Sequence, residues 1–181
     1  MNESCWEQWR RCGRHGHLDV YEIRDDPNGN GKRFVSQYAM TALTVDLVIS
    51  NGHQILLIER GHPPCQGQWA LPGGFVDIGE NESPQHAAHR ELHEETGLQN
   101  VELHLITARA NATRDPRGYT TTMIYAGRIE ESQAIAQTSA GDDAAKAQWF
   151  AMDQLPDLAF DHEEIVTAVT SSCASVVQLF D

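Results

Sequence analysis

Glu91, Glu94 and Glu95 stand at i, i+3 and i+4, the offsets that share one face of a helix. Three like charges so placed repel one another by roughly a few tenths of a kcal/mol per pair. A hard divalent cation such as Mg2+ converts that repulsion into binding, because it prefers carboxylate oxygens and keeps several of its waters. The competing reading is a solvated acidic face with no ligand. The surroundings argue for the cation. Gly73-Gly74 stands upstream, a pair that lets backbone amides and carbonyls approach a ligand closely. Arg90 adjoins Glu91 and can pair with one carboxylate while holding the rest in position. Ala87, Ala88, Leu92 and Leu98 give the other side of the helix to a core.

The elements that must carry these residues can be read from local signals. Ser83-Pro84 is a helix start, with Ser as N-cap and Pro at the first helical position. The helix runs to Thr96, and Gly97 ends it. Thr41 to Ile49 and Gln54 to Ile58 are β-branched or aliphatic runs around Asn51-Gly52, which predicts a hairpin. A Gly- and Pro-rich loop from Gly61 to Gly67 leads to a short strand around Trp69-Ala70-Leu71. Val101 to Arg109, Thr120 to Ile129 and Gln148 to Ala151 read as further strands. A last helix is predicted over Asp161 to Leu179, with Ile165, Val169, Cys173 and Val176 on one face. Irregular alternation of strands and helices predicts an α/β or α+β sandwich rather than a regular doubly wound sheet.

The chain of 181 residues carries 13 Lys+Arg against 26 Asp+Glu, a formal charge of −13, and is 40% hydrophobic. It can bury a core, and its acidity repels nucleic-acid backbones. A phosphorylated small molecule remains compatible where cations bridge the like charges. The division expected is a polar N-terminal extension over 1–37, with a hairpin tip at Asp25 to Gly31, and one domain over 38–181. Cys5, Cys12, Cys65 and Cys173 lack disulfide-framework spacing, so reduced thiols are expected. Cys5, Cys12, His15 and His17 could form a tetrahedral zinc site, but their spacing departs from the common pattern and a loosely packed extension is the default expectation. Without an apolar leader or a run long enough to span a bilayer, a cytoplasmic protein with no membrane partner is expected.

The stretch from Gly74 to Leu98 resembles the Nudix box, the signature of hydrolases acting on nucleoside diphosphates linked to another moiety. That pattern is Gly, five residues, Glu, seven residues, Arg-Glu-aliphatic, one residue, Glu-Glu, one residue, Gly-aliphatic. Arg90 to Leu98 matches it at every defined position. Gly74 and Glu80 satisfy the first spacing, but nine residues separate Glu80 from Arg90. Counting back from Arg90 makes Glu82 the first glutamate and puts a two-residue insertion before the helix, with Glu80 the alternative. The resemblance implies a Nudix-type α/β/α sandwich with a mixed sheet between helices. It implies Mg2+, with Mn2+ able to substitute, on Glu91 and Glu95, with Glu94 a further ligand, Gly73 lending its carbonyl and Arg90 orienting the cluster. The reaction implied is attack of a metal-activated water on phosphorus. A further acid from a late loop is implied at Asp143, with Asp142 second; either also reads as part of a turn.

Five further segments resemble the ADP-ribose pyrophosphatase branch: Ala42 to Asp46, Glu59 to Pro64, Gly67 to Asp77, Arg114-Asp115-Pro116-Arg117-Gly118 and Leu158 to His162. The implied reaction cuts ADP-ribose or an ADP-sugar to AMP and a sugar phosphate. Nucleoside triphosphates, and a sensing module with little turnover, are the alternatives. Sixteen residues after Ile165 suit one helix, so a stand-alone enzyme is expected, and the family suggests a homodimer. Arg60, Arg114 and Arg117 are candidate phosphate contacts, since guanidinium pairs with phosphate through two parallel hydrogen bonds; Gly74 is the backbone contact. Trp69 could stack on a base or pack in the core. His86, His89 and His93 are expected on an exposed face, because Mg2+ does not favour imidazole.

Overall fold

The computed structural model describes residues 21–25, 32–36, 41–130 and 144–171. The chain divides into two units, Met1–Met40 and Thr41–Asp181. In the first, β1 (Tyr21–Asp25) and β2 (Lys32–Ser36) pair antiparallel, Asp25 opposite Lys32; residues 26–31, where most of the hairpin tip was expected, lie outside the described residues. The N-terminal cysteine and histidine cluster lies outside the described residues.

The second unit holds a seven-stranded mixed sheet. Its centre is β3 (Ala42–Ser50), buried from Thr44 onward. A strand covered on both faces reads as a near-continuous apolar run, and in β3 Asp46 is the one charge in such a run. Parallel β8 (Thr120–Arg128) lies along one side of β3 from Ala42 to Ser50. The edge strand β7 (His104–Asn111) pairs antiparallel with β8.

The other side of β3 is shared. β4 (Gln54–Arg60) forms the expected hairpin with it, yet the register is confined to Ser50 opposite Ile55. Beyond that point β4 diverges to pair with β5 (Trp69–Ala70), while β9 (Ala144–Ala151) pairs along its other side from Gln54 to Arg60. Into the space so opened comes β6 (Gly73–Phe75), with Asp46 opposite Gly73 and Val45 opposite Gly74. This divergence seats the Gly-Gly segment against the middle of the sheet.

Alternation along β3 sends Val45, Leu47 and Ile49 into one core layer with Ala87, Ala88 and Leu92 of α1 (Pro84–Thr96). Val48 faces the opposite layer with Ile165, Val166 and Val169 of α2 (His162–Ser171). Two helices on opposite faces of a mixed sheet make the α/β/α sandwich that was expected. The largest boundary shifts among the described residues are at the starts of β7 and β9. β7 begins at His104 because Val101 and Leu103 turn into the α1 layer. β9 begins at Ala144, four residues earlier than predicted, because pairing with β4 outweighs the weak strand preference of its alanines. α2 is described from His162 to Ser171, so Cys173 and Val176 lie outside the described residues. Among the described residues no helix is long and apolar enough to cross a membrane.

Candidate active site

Helix α1 is set in register by its ends. Ser83 Oγ accepts from the His86 amide at 3.2 Å, Pro84 follows it, and Gly97 at φ 76 closes the helix by donating its amide to His93 O at 2.8 Å. With those ends fixed, Leu92 is buried and Glu91, Glu94 and Glu95 all line one cleft of about 650 Å3 with Gly73, Gly74, Arg60 and Arg117. That volume falls within the range of small-molecule sites.

The two glycines are required where they stand. Gly73 has φ +151, and a Cβ there would overlap the Val45 carbonyl oxygen. A Cβ on Gly74 would overlap the Glu91 carboxylate. The Gly73 amide donates to Glu95 Oε2 at 2.8 Å, and Glu95 is buried.

Arg90 ties the acidic face together. Its Nε and Nη2 donate to Glu82 at 2.8 and 2.9 Å, its Nη1 to Glu91 at 2.8 Å and Glu94 at 3.0 Å, and Nη2 also to Phe75 O at 3.0 Å. Glu82 further accepts from the Asp77 amide at 2.9 Å. Arg90 thereby holds the Glu82 carboxyl down at about 2, against an ordinary 4.5. Glu91 moves the other way, its pKa raised by burial, with Arg90 opposing only in part. Glu82 is therefore the glutamate that faces Arg90, while Glu80 is exposed on a 3-10 turn. Among the described residues, no group of three or more His, Cys, Asp or Glu side chains is gathered around one point. Arg90 Nη1 stands between Glu91 and Glu94 instead.

Arg60 and Arg117 line the same cleft. The Arg60 guanidinium lies 4.8 Å above the Phe160 ring and donates from Nε to Pro64 O at 2.9 Å. Its pKa is lowered by burial first and then by the nearby charge of Arg117. Arg117 lies 4.8 Å above Phe75 and pairs with Asp115 at 2.7 Å. Two guanidiniums brought close enough to repel can both be satisfied by one polyanion.

Arg114 lines an adjoining pocket with Arg60, Gly73 and Arg117. It is buried, with Nη2 on Asp46 and Asp161 at 2.8 Å each and Nε on Asp161 at 3.2 Å. Two carboxylates from remote segments, on β3 and at the start of α2, engage its charge, so it braces the frame of the site. Trp69 packs edge-on against Phe150, ring centroids 4.7 Å apart, in the α2-side core. His86, His89 and His93 are exposed as expected. Asp142 and Asp143 lie outside the described residues. Sequence reading assigned no role to Asp46, Asp161, His162 or the aromatic partners Phe75 and Phe160. The signals were Asp46 itself, a charge interrupting an apolar strand, and the placement of all five residues within segments that resemble the ADP-ribose pyrophosphatase branch.

Residues 40–169 match the family model for the NUDIX domain, and the chain belongs to the Nudix family as a Nudix hydrolase. It is 40% identical over 129 residues to the ADP-ribose pyrophosphatase of Methanocaldococcus jannaschii, covering 71% of this chain and 73% of that protein. It is 36% identical over 137 residues to the ADPR responsive transcriptional repressor NtrR of Acinetobacter baylyi, covering 72% of this chain and 54% of that one. In three dimensions it shares its fold with the Nudix domain of Shewanella oneidensis NrtR solved with ADP ribose. The TM-score is 0.64 at 24% identity, over 92% of this chain and 96% of that one.

Proposed function

We propose that this hydrolase cleaves the diphosphate of ADP-ribose or a similar ADP-sugar, in a Mg2+-dependent reaction yielding AMP and a sugar phosphate. The observation that carries the reading is one cleft walled by the Glu91, Glu94 and Glu95 face and by the Arg60 and Arg117 pair. The 40% identity to an ADP-ribose pyrophosphatase supports the substrate.

The donors fit a hard cation, since the candidate ligands are carboxylates and the Gly73 carbonyl, all oxygen. Glu91 and Glu95 would hold Mg2+, or Mn2+ in its place, with Glu94 alongside. When bound, the cation supplies charge neutralisation on the phosphoryl oxygens and lowers the pKa of a water. The chain's own residues do the rest. Gly73 orients the Glu95 carboxylate through its amide. Arg90, anchored by Glu82, fixes Glu91 and Glu94. Arg60 and Arg117 bind the diphosphate, Gly74 lets it approach the backbone, and their stacking on Phe160 and Phe75 keeps both guanidiniums extended over the cleft. Water oxygen bonds to one phosphorus as the bridging P–O bond breaks, and Asp143 is the proposed acceptor of the water's proton, with Asp142 second. The enzyme is read as a cytoplasmic homodimer, which light scattering tests directly.

The test is a panel of ADP-ribose, ADP-sugars and nucleoside triphosphates incubated with Mg2+ or Mn2+ and followed by product chromatography. AMP released from ADP-ribose in preference to the others is expected. No AMP from ADP-ribose with excess cation overturns the substrate. A second reading, a nucleotide sensor, draws on the identity to the repressor; tight, metal-independent ADP-ribose binding with slow turnover would favour it.

A further inference from the structure

His162 opens α2 and is 4% exposed. Its Nδ1 accepts a hydrogen bond from the Leu71 amide at 2.9 Å. An amide nitrogen can only donate, so Nδ1 is unprotonated and the neutral ring carries its proton on Nε2. That edge faces Asp46 Oδ1 at 3.6 Å, while Asp46 Oδ2 holds Arg114. Burial keeps the ring neutral by lowering its pKa, against the raising effect of Asp46 and Asp161.

What Leu71 begins is the segment that carries the glycines. The Leu71 amide is tied to His162, the Pro72 carbonyl accepts from the Leu47 amide at 2.9 Å, and the Gly73 amide reaches Glu95 at 2.8 Å. Three successive residues are thus pinned to α2, β3 and α1. Pro72 has no amide to add a restraint, and Gly73 has the backbone freedom to move. If the Leu71 anchor is lost, β6 stays paired with β3, but the bend loses the restraint on its N-terminal side and the Gly73 amide can tilt away from Glu95.

We propose that His162 is a positioning residue for hydrolysis, holding the Leu71–Gly73 turn so that the Gly73 amide fixes the Glu95 carboxylate. This rests on the reading of Glu95 as a working carboxylate of the site.

The test is a matched pair of variants. His162→Asn places an amide oxygen where Nδ1 stands and can still accept from Leu71. His162→Gln places it near the position of Nε2 and cannot. Loss of a group orienting a ligand costs about 10–100-fold in metal affinity or activity. His162→Gln should therefore lose at least about tenfold in kcat with KM within about twofold, and His162→Asn should recover most of kcat. Two readouts need no turnover. In proton–nitrogen spectra and hydrogen exchange, Leu71 should lose protection and Gly73 should shift in His162→Gln and revert in His162→Asn. In the wild type, ring nitrogen shifts should show Nδ1 bare and Nε2 protonated. Equal kcat for the two variants with an unmoved Gly73 signal overturns the proposal. A proton on Nδ1 overturns it as well, even if His162→Gln fails to fold. If the wild type hydrolyses nothing on the panel, the functional reading falls, and the Gly73 response still decides whether His162 governs the turn.

Discussion

Replacing Glu82 by Gln removes a charge from a side chain that is 5% exposed and held by both Arg90 and the Asp77 amide. The gap between the ordinary 4.5 and the value of about 2 in the fold corresponds to roughly 3 kcal/mol at full strength. Solvent reaches Arg90, whose side chain is 28% exposed, and screening reduces the expected loss to about 1–2 kcal/mol. The sign follows from the depressed pKa. Ionised Glu82 stabilises the fold fully above the unfolded value and loses that effect as pH falls from 4.5 towards about 2. The wild type should therefore exceed Glu82→Gln at neutral pH, and the two should converge in acid. Exposed Glu80 provides the control, and Glu80→Gln should stay within about 0.5 kcal/mol of wild type throughout. Urea unfolding of the three proteins in metal-free buffer at neutral pH and near pH 3 measures this. Turnover should fall only severalfold in Glu82→Gln, since Arg90 keeps Glu91 and Glu94. Equal losses in the two variants, or a Glu82→Gln deficit that persists undiminished in acid, would refute both the ion-pair account and the two-residue insertion before the helix.

Glu91→Gln and Glu95→Gln should each lower AMP release by about a hundredfold or more. The metal-free unfolding midpoint of Glu91→Gln should hold or rise, because burial raises that carboxyl's pKa and its ionised form costs stability as pH increases; near-wild-type turnover in both variants sinks the metal-face reading. Gly73→Ala should lose about 1–3 kcal/mol in thermal or urea unfolding, since the methyl meets the rigid Val45 carbonyl at a left-handed φ. The methyl of Gly74→Ala comes nearest to the movable end of the Glu91 side chain, so this variant should fold and lose turnover instead; wild-type behaviour of either contradicts the packing described. Arg60→Lys should raise KM about tenfold with a smaller change in kcat, because ammonium cannot both stack on Phe160 and pair with phosphate through a planar fork; an unchanged KM removes Arg60 from the substrate contacts.

By itself the sequence determined helix α1 and the side of it that Glu91, Glu94 and Glu95 share. Those signals are local: Ser83, Pro84 and Gly97 act on amides and carbonyls within four residues, so their meaning does not depend on the rest of the chain. The alternating apolar residues of β3 likewise announced a central strand, and the Asn51-Gly52 turn announced β4 after it. Tertiary structure alone decided that β4 leaves β3 after one residue pair and that β6 takes its place, bringing Gly73 to Glu95 across 22 positions of chain. It also decided that Arg114 meets Asp46 and Asp161, 68 and 47 residues away. Nothing in the spacing of those residues could foretell this. Helix and strand periodicities repeat along the chain, whereas an ion pair between remote segments exists only once the order of the strands has set which loops meet.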